Sequence, residues 1–321
     1  FSLAPIPERW VEHIYSRELY LVWQNVLTPI SSLVSFALFD LLVVGILVAL
    51  VVWWTVVLRG SRGRGFRIFV RMTFNTIAAL AGIYVIFLLV WGLNYRREPL
   101  TSKLDFDPKR ITPDALVELT TNVVKRLNVL YLPARQLGWA RLEEFPSRFA
   151  PAFDQAQRQL GNNRTAVVGK PKTSLLTYYF RRAGIDGMMN PFSLEILVNE
   201  RVLPFERPLV VAHEWAHLAG YAEESEASFV GWLTCLAGDD TSRYSAWLFL
   251  LPQLVRHLEQ SDQAATWDQL KPGPTEDLRA VAARFSEVVP VVQRNANRVY
   301  DRYLRAHGVE AGIASYGEVV N

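Results

Sequence analysis

Two long apolar runs dominate the first hundred residues. Leu41 to Leu58 reads LLVVGILVALVVWWTVVL without a charge, and Leu33 to Phe39 extends it backward across Asp40. Met72 to Tyr95 is a second uncharged run, ending VIFLLVWGLNY. At 1.5 Å per residue roughly 20 residues cross a hydrocarbon core. Both runs therefore predict membrane-spanning helices rather than a pair of core helices. Between them RGSRGRGFRIFVR carries Arg59, Arg62, Arg64, Arg67 and Arg71. The positive-inside rule places this loop, 59–71, in the cytoplasm. Residues 1–32 and everything after Tyr95 then lie outside, with Arg96 and Arg97 opposing weakly. Asp40 is expected at the outer interface, and Trp53, Trp54, Trp91 and Tyr95 sit near span ends as interfacial aromatics do.

Residues 8–30 mix polar and apolar positions and predict an amphipathic helix, on the membrane or against the outer domain, with His13 at its surface. Residues 96–110 read as a linker. Thr112-Pro113-Asp114 opens a helix with a cap, a proline and an acid, and Leu116, Leu119, Val123, Leu127 and Leu130 give it an apolar stripe. Further helices are expected from about Ser147 to Leu160, Pro208 to Gly220, Glu223 to Leu236, Arg243 to Leu258 and Glu276 to Ala306, with Pro272-Gly273-Pro274 separating the last two. Residues 194–199 read as a short strand. The fold class is mainly α with a small β-sheet, α+β.

Charge refines this division. The chain has 321 residues, mean hydropathy +0.11 and net charge +3. Residues 1–100 hold 9 Lys/Arg and 5 Asp/Glu, a balance of +4; the remaining 25 and 26 give −1. The basic excess thus lies beside the apolar runs, which excludes a nucleic-acid partner; such a reader carries its basic stripe on the folded domain. The single cysteine, Cys235, sits in an apolar run and reads as core. The chain begins at Phe1, which leaves room upstream for a signal peptide or another membrane helix.

Chemistry concentrates in Val210–Gly220, VVAHEWAHLAG, which contains HExxH. On a helix His213 and His217 share a face one turn apart and can bind one Zn²⁺. Glu214 can take a proton from a water on that ion and pass it to a leaving amine. Gly220 can end the helix in a left-handed turn and send the chain back. Three acids then compete for the third ligand position. Glu223 falls where the metzincin pattern has its third histidine. Glu224 opens ExEAS, which resembles the ExxAD segment of gluzincins such as the CAAX-type endopeptidases. That likeness implies Glu224 as ligand and Ser228, in place of Asp, as its support. Glu226 is the third. We take Glu224.

The pieces KPKTSLL, GIDGMMNPFSLEILVN, LPFERPLVVAHEWAHLAGYAEESEASFVGWLTC and SRYSAW, with Gly312–Tyr316 near the end, resemble the bacterial membrane-anchored family called domain of unknown function 3810. The resemblance implies a zincin-like fold of the gluzincin kind and places an acid four residues after the glycine, at Glu224. The family's usual Asn after EA is Ser228 here. In zincins an edge strand borders the cleft, and residues 194–199 are expected to serve so, pairing with an extended substrate. Tyr178, Tyr179, Tyr244 and Tyr316 are the candidate oxyanion donors, while His257 and His307 read as surface or satisfied core residues.

The expected organisation is an amphipathic outer segment (1–32), a two-helix anchor (33–95) and a zincin-like catalytic domain (96–321). The expected activity is that of a multi-pass zinc metallopeptidase of the cytoplasmic membrane. Its domain lies on the outer side, and its partners are a peptide or protein substrate and the lipid bilayer. Two other classes fit the same residues: a non-catalytic scaffold or sensor with a structural zinc, and a zinc amidase acting on non-peptide envelope amides.

Overall fold

The computed structural model describes residues 6–60, 65–309 and 312. Arg62, Arg64 and the segment from Ile313 to Tyr316 lie outside the described residues. The chain is mostly helical with a small three-stranded sheet.

An N-terminal helical rod runs from α1 (Glu8–Trp10) through a π-helical stretch (Val11–Leu19) into α2 (Tyr20–Ser32). It packs against the domain that follows the two apolar helices. Val11, Tyr15, Tyr20 and Leu21 share one core with Trp215 and Leu218. Gln24 bonds the backbone of Val167, and Thr28 donates to the Leu194 carbonyl at 2.9 Å. His13 is exposed.

Helices α3 (Leu38–Arg59) and α4 (Gly65–Val90) are long and apolar enough to cross a membrane. None of α3 is buried, and of α4 only Met72 and Phe87 are. They are therefore not core helices of the domain, and apolar surface on this scale implies a partner. The first N–H groups of α3 have no partner within the helix. Glu195 supplies one: its carboxylate accepts from Leu38 N at 3.0 Å and Phe39 N at 2.7 Å. Asp40, in the same turn, accepts from Ser174 Oγ at 2.5 Å and Leu175 N at 2.8 Å. The sheet region of the domain thus grips this end of α3.

The segment 96–110 is less of a linker than its composition suggests. Leu100 is buried, and Arg97 pairs with the buried Glu12 at 2.9 Å. Then follow α5 (Pro113–Leu137), capped by Thr112 Oγ1 accepting from Ala115 N, and α6 (Phe145–Gln159). Strand β1 (Pro171–Lys172), α7 (Thr177–Ala183), β2 (Gly187–Asn190) and β3 (Glu195–Val198) form the sheet region.

The strand order is β1-β3-β2, with β1 parallel and β2 antiparallel to β3. This corrects the expectation that 194–199 is an edge. Glu195–Val198 is buried at every position. Ile196 and Val198 face the main core, while Leu197 packs with Ala37 and Phe180. A strand apolar on both faces belongs in the middle of a sheet.

Helices α8 (Arg207–Leu218), α9 (Glu224–Ala237) and α10 (Asp240–Val255) follow, and α10 builds a second core with α5. A short α11 (Gln260–Gln269) was not foreseen. Pro272 starts α12 (Pro272–Phe285) rather than separating helices, because a proline in the first turn lacks only an N–H that would be unpaired anyway. The single helix expected up to Ala306 is broken before α13 (Pro290–Ala306), where Pro290 again sits in a first turn.

Candidate metal centre

Helix α8 is fixed along its back face. Val211, Ala212, Trp215, Ala216 and Leu218 are fully buried, and Trp215 Nε1 donates to the Gly169 carbonyl at 2.8 Å. Its end is a Schellman turn. Gly220 takes φ 80°, its N–H meets His217 O at 3.0 Å, and Tyr221 N–H meets Ala216 O at 3.1 Å. Side chains from the first hundred residues also donate to the last carbonyls. Trp91 Nε1 donates to His217 O at 2.9 Å, Tyr20 OH to Leu218 O at 2.7 Å and Arg97 Nη1 to Ala219 O at 3.0 Å.

The chain then reverses into α9. Gly231 lets the helices approach: a Cβ there would lie 2.9 Å from His213 N. Of the three competing acids, Glu224 is the one brought to the imidazoles. Its Oε2 lies 3.2 Å from His213 Nε2 and 3.5 Å from His217 Nε2, and the two nitrogens are 3.1 Å apart. Glu226 is turned away, accepting from Leu100 N at 2.5 Å, and Glu223 lines the same outer groove as Glu226.

These separations suit a tetrahedral ion. Ligand atoms about 2.0–2.1 Å from zinc at tetrahedral angles lie roughly 3.3–3.4 Å from one another. Glu224 Oε2 and Glu214 Oε2 are both buried without a hydrogen-bond partner. Two orphaned carboxylate oxygens in one buried site are expensive unless a cation and its solvent complete them. Among the described residues no fourth His, Cys, Asp or Glu joins the cluster.

The outer contacts orient the three ligands, as such contacts do in metal sites. His217 Nδ1 lies 2.7 Å from the Tyr221 carbonyl, which can only accept, so Nδ1 carries a proton and Nε2 faces the site. Ser228 Oγ is 3.3 Å from His213 Nδ1, so it stands behind the histidine rather than behind Glu224. Tyr300, on α13, donates its hydroxyl to Glu224 Oε1 and leaves Oε2 toward the imidazoles. No motif surrounds Tyr300, and nothing in its neighbourhood along the chain marks it. Tyr178 and Tyr179 are exposed, and Tyr244 donates to Asp277 in the second core. His257 is exposed, while His307 and Cys235 are buried.

Electrostatics describe a pocket that attracts positive charge. Burial opposes ionisation of His217, but the Glu224 and Glu214 carboxylates outweigh it and push its pKa up to about 9. Burial likewise opposes the Glu224 carboxylate, yet both imidazoles hold it far below the usual range. Glu214 is different: burial dominates and pushes it up to about 7, against the pull of His213 and His217.

Gly187 of β2 makes room for this carboxylate. A Cβ there would sit 2.5 Å from Glu214 Oε1. Gly187→Ala is therefore expected to displace Glu214 and leave the three ligands in place. A zinc titration checks the second part, with the variant expected to bind the metal as the parent does.

The molecule is thus a mostly helical α+β protein with two apolar helices and a buried His–His–Glu cluster. The family described as "Protein of unknown function (DUF3810)" matches residues 15–321, and the chain belongs to it. No curated protein and no solved structure matches the chain.

Proposed function

We propose that the protein is a membrane-anchored zinc metallopeptidase of the gluzincin kind. The observation that carries this is the triangle of ligand atoms, 3.1–3.5 Å on a side, beside a buried carboxylate whose pKa is near 7. His213, His217 and Glu224 hold the zinc. Bound there, the ion would polarise a scissile carbonyl and acidify a coordinated water. Glu214 is the base, accepting the proton of the attacking water and handing it to the leaving nitrogen. A structural zinc site is closed by four protein ligands, so a three-residue cluster favours catalysis over the scaffold reading.

Substrate pairing falls to β2. Strand β3 is occupied on both sides, whereas β2 is an outer strand of the sheet and touches Glu214 through Gly187. An extended peptide adding to that edge would pass beside the base.

Helices α3 and α4 are the anchor, and the outer side of the cytoplasmic membrane is the location of the domain. Arg59, Arg67 and Arg71 at the far ends of the helices are exposed. Two arginines oppose this orientation, Arg96 and Arg97, and Arg97 pairs with Glu12, which Arg17 and Lys103 share.

Purified full-length protein is expected to carry about one zinc per chain and to cleave a mixed-sequence peptide library, with both properties lost in His213→Ala. Elemental analysis and mass spectrometry of products check it. Zinc-free protein, or loaded protein that cleaves nothing, would refute the reading.

A further inference from the structure

The position of the cluster relative to the membrane helices narrows the substrate. On α3 the polar grip ends at Asp40, bonded to Ser174 and Leu175. On α4 Tyr84 OH meets His307 Nε2 at 3.2 Å, a polar contact between this helix and the residue that follows α13. The hydrocarbon therefore begins just below Asp40 and Tyr84. From Leu41 to Leu58 is 18 residues, about 27 Å of helix, close to the roughly 30 Å of a hydrocarbon core.

From Tyr84 to Trp91 is seven residues, about 10 Å along the axis. Trp91 touches the cluster's own helix: its indole bonds the His217 carbonyl, and the two rings lie 6.3 Å apart. Phe87 and Trp91 belong to the same core as Trp215 and Leu218. No spacer separates membrane helix from metal site, so the site cannot swing away from the bilayer.

The surface around the outer end of α3 has the character of a lipid contact. Leu33 and Leu175 are 83% and 82% exposed, and Phe36, Tyr178 and Tyr179 are exposed beside them. Arg181 and Arg182 are half-buried 5.4 and 5.1 Å from the Tyr178 ring, and Arg181 also pairs with Glu287 at 3.6 Å. Apolar and aromatic side chains backed by arginine match a headgroup layer.

Resting on the peptidase reading above, we infer that the substrate is a polypeptide anchored in the same bilayer and cut close to its surface. A height of about 10 Å corresponds to about three extended residues, so the scissile bond lies roughly three to six residues from the anchor.

The experiment uses full-length protein in lipid vesicles and a mixed-sequence peptide library in three forms. One is free, one is joined to a dipalmitoyl anchor by about 5 residues, and one is joined by a flexible spacer of about 20 residues. The two anchored forms share one surface concentration. Anchored peptides are expected to be cut at least tenfold faster near the anchor than in the distal part of the long form, with Glu214→Gln as the inactive control. Cuts spread evenly along the long form, or equal rates on free peptide, would overturn the inference and leave the peptidase reading standing. No cleavage of any form by zinc-loaded protein would overturn the peptidase reading itself. A second readout needs no turnover. Cys235 is buried, so Leu175→Cys can be spin-labelled selectively. Relaxation by oxygen exceeding that by a water-soluble nickel chelate is expected, and the reverse would place this surface in bulk water and overturn the inference.

Discussion

Glu214→Gln is expected to keep its zinc and to lose about 10²- to 10⁴-fold in kcat, the usual contribution of a positioned base. The amide has nearly the shape of the acid, so the space beside Gly187 stays filled and the three ligands stay put. What it cannot do is accept a proton. Metal content measured beside turnover separates the two effects, and a variant that cleaves as fast as the parent would remove Glu214 from the chemistry.

The same substitution has a signature in stability. Glu214 holds its proton to about pH 7 in the folded, metal-free protein, against about 4.5 as the ordinary value. A pKa raised on folding stabilises the fold fully at low pH, and that contribution is lost as pH rises through the folded value. Metal-free parent should therefore lose stability between about pH 5 and pH 8. Glu214→Gln should lack that component and melt higher than the parent at pH 8, as thermal scans of the two would reveal.

The second large effect lies at the start of α3. Lys172 Nζ and Glu195 Oε2 are 2.7 Å apart, with side chains 1% and 0% exposed. Lys172 also donates to Ser31 O at 2.6 Å, and Glu195 holds the first N–H groups of α3. Lys172→Met leaves a buried carboxylate without its counter-charge, which costs about 3–5 kcal/mol. Urea unfolding in detergent should show a loss of that order. Lys172→Met combined with Glu195→Gln should recover part of it, because no charge then stays buried. Equal losses in the single and double variants would show that packing, not the ion pair, holds this junction.

Much of the candidate site was legible because it is local. HExxH needs only one helical turn, and the positive φ at Gly220 follows from the residue itself. What sequence spacing could not supply was contact between distant segments. Tyr300 reaches Glu224 from the last described helix, and Trp91 reaches His217 from the end of α4; neither lies in a motif. The misplaced strand has another cause. Leu194–Val198 has no polar alternation except Glu195, a pattern of burial on both faces, and Glu195 is itself buried as the cap of α3. The likeness to a cleft-lining edge overrode that sign. At Pro272 the error was to take a proline as a break where it begins a helix.

One consequence follows from the three donors that close the end of α8. Trp91 and Tyr20 belong to the stretch that would be trimmed away to obtain a fragment without the apolar helices, and Arg97 follows it directly. Such a cut strips the Leu218 carbonyl of its side-chain donor, leaves the His217 carbonyl to Gly220 N–H alone and opens a hole where the indole stood. The trimmed fragment would hold its HExxH helix less firmly than the whole chain does.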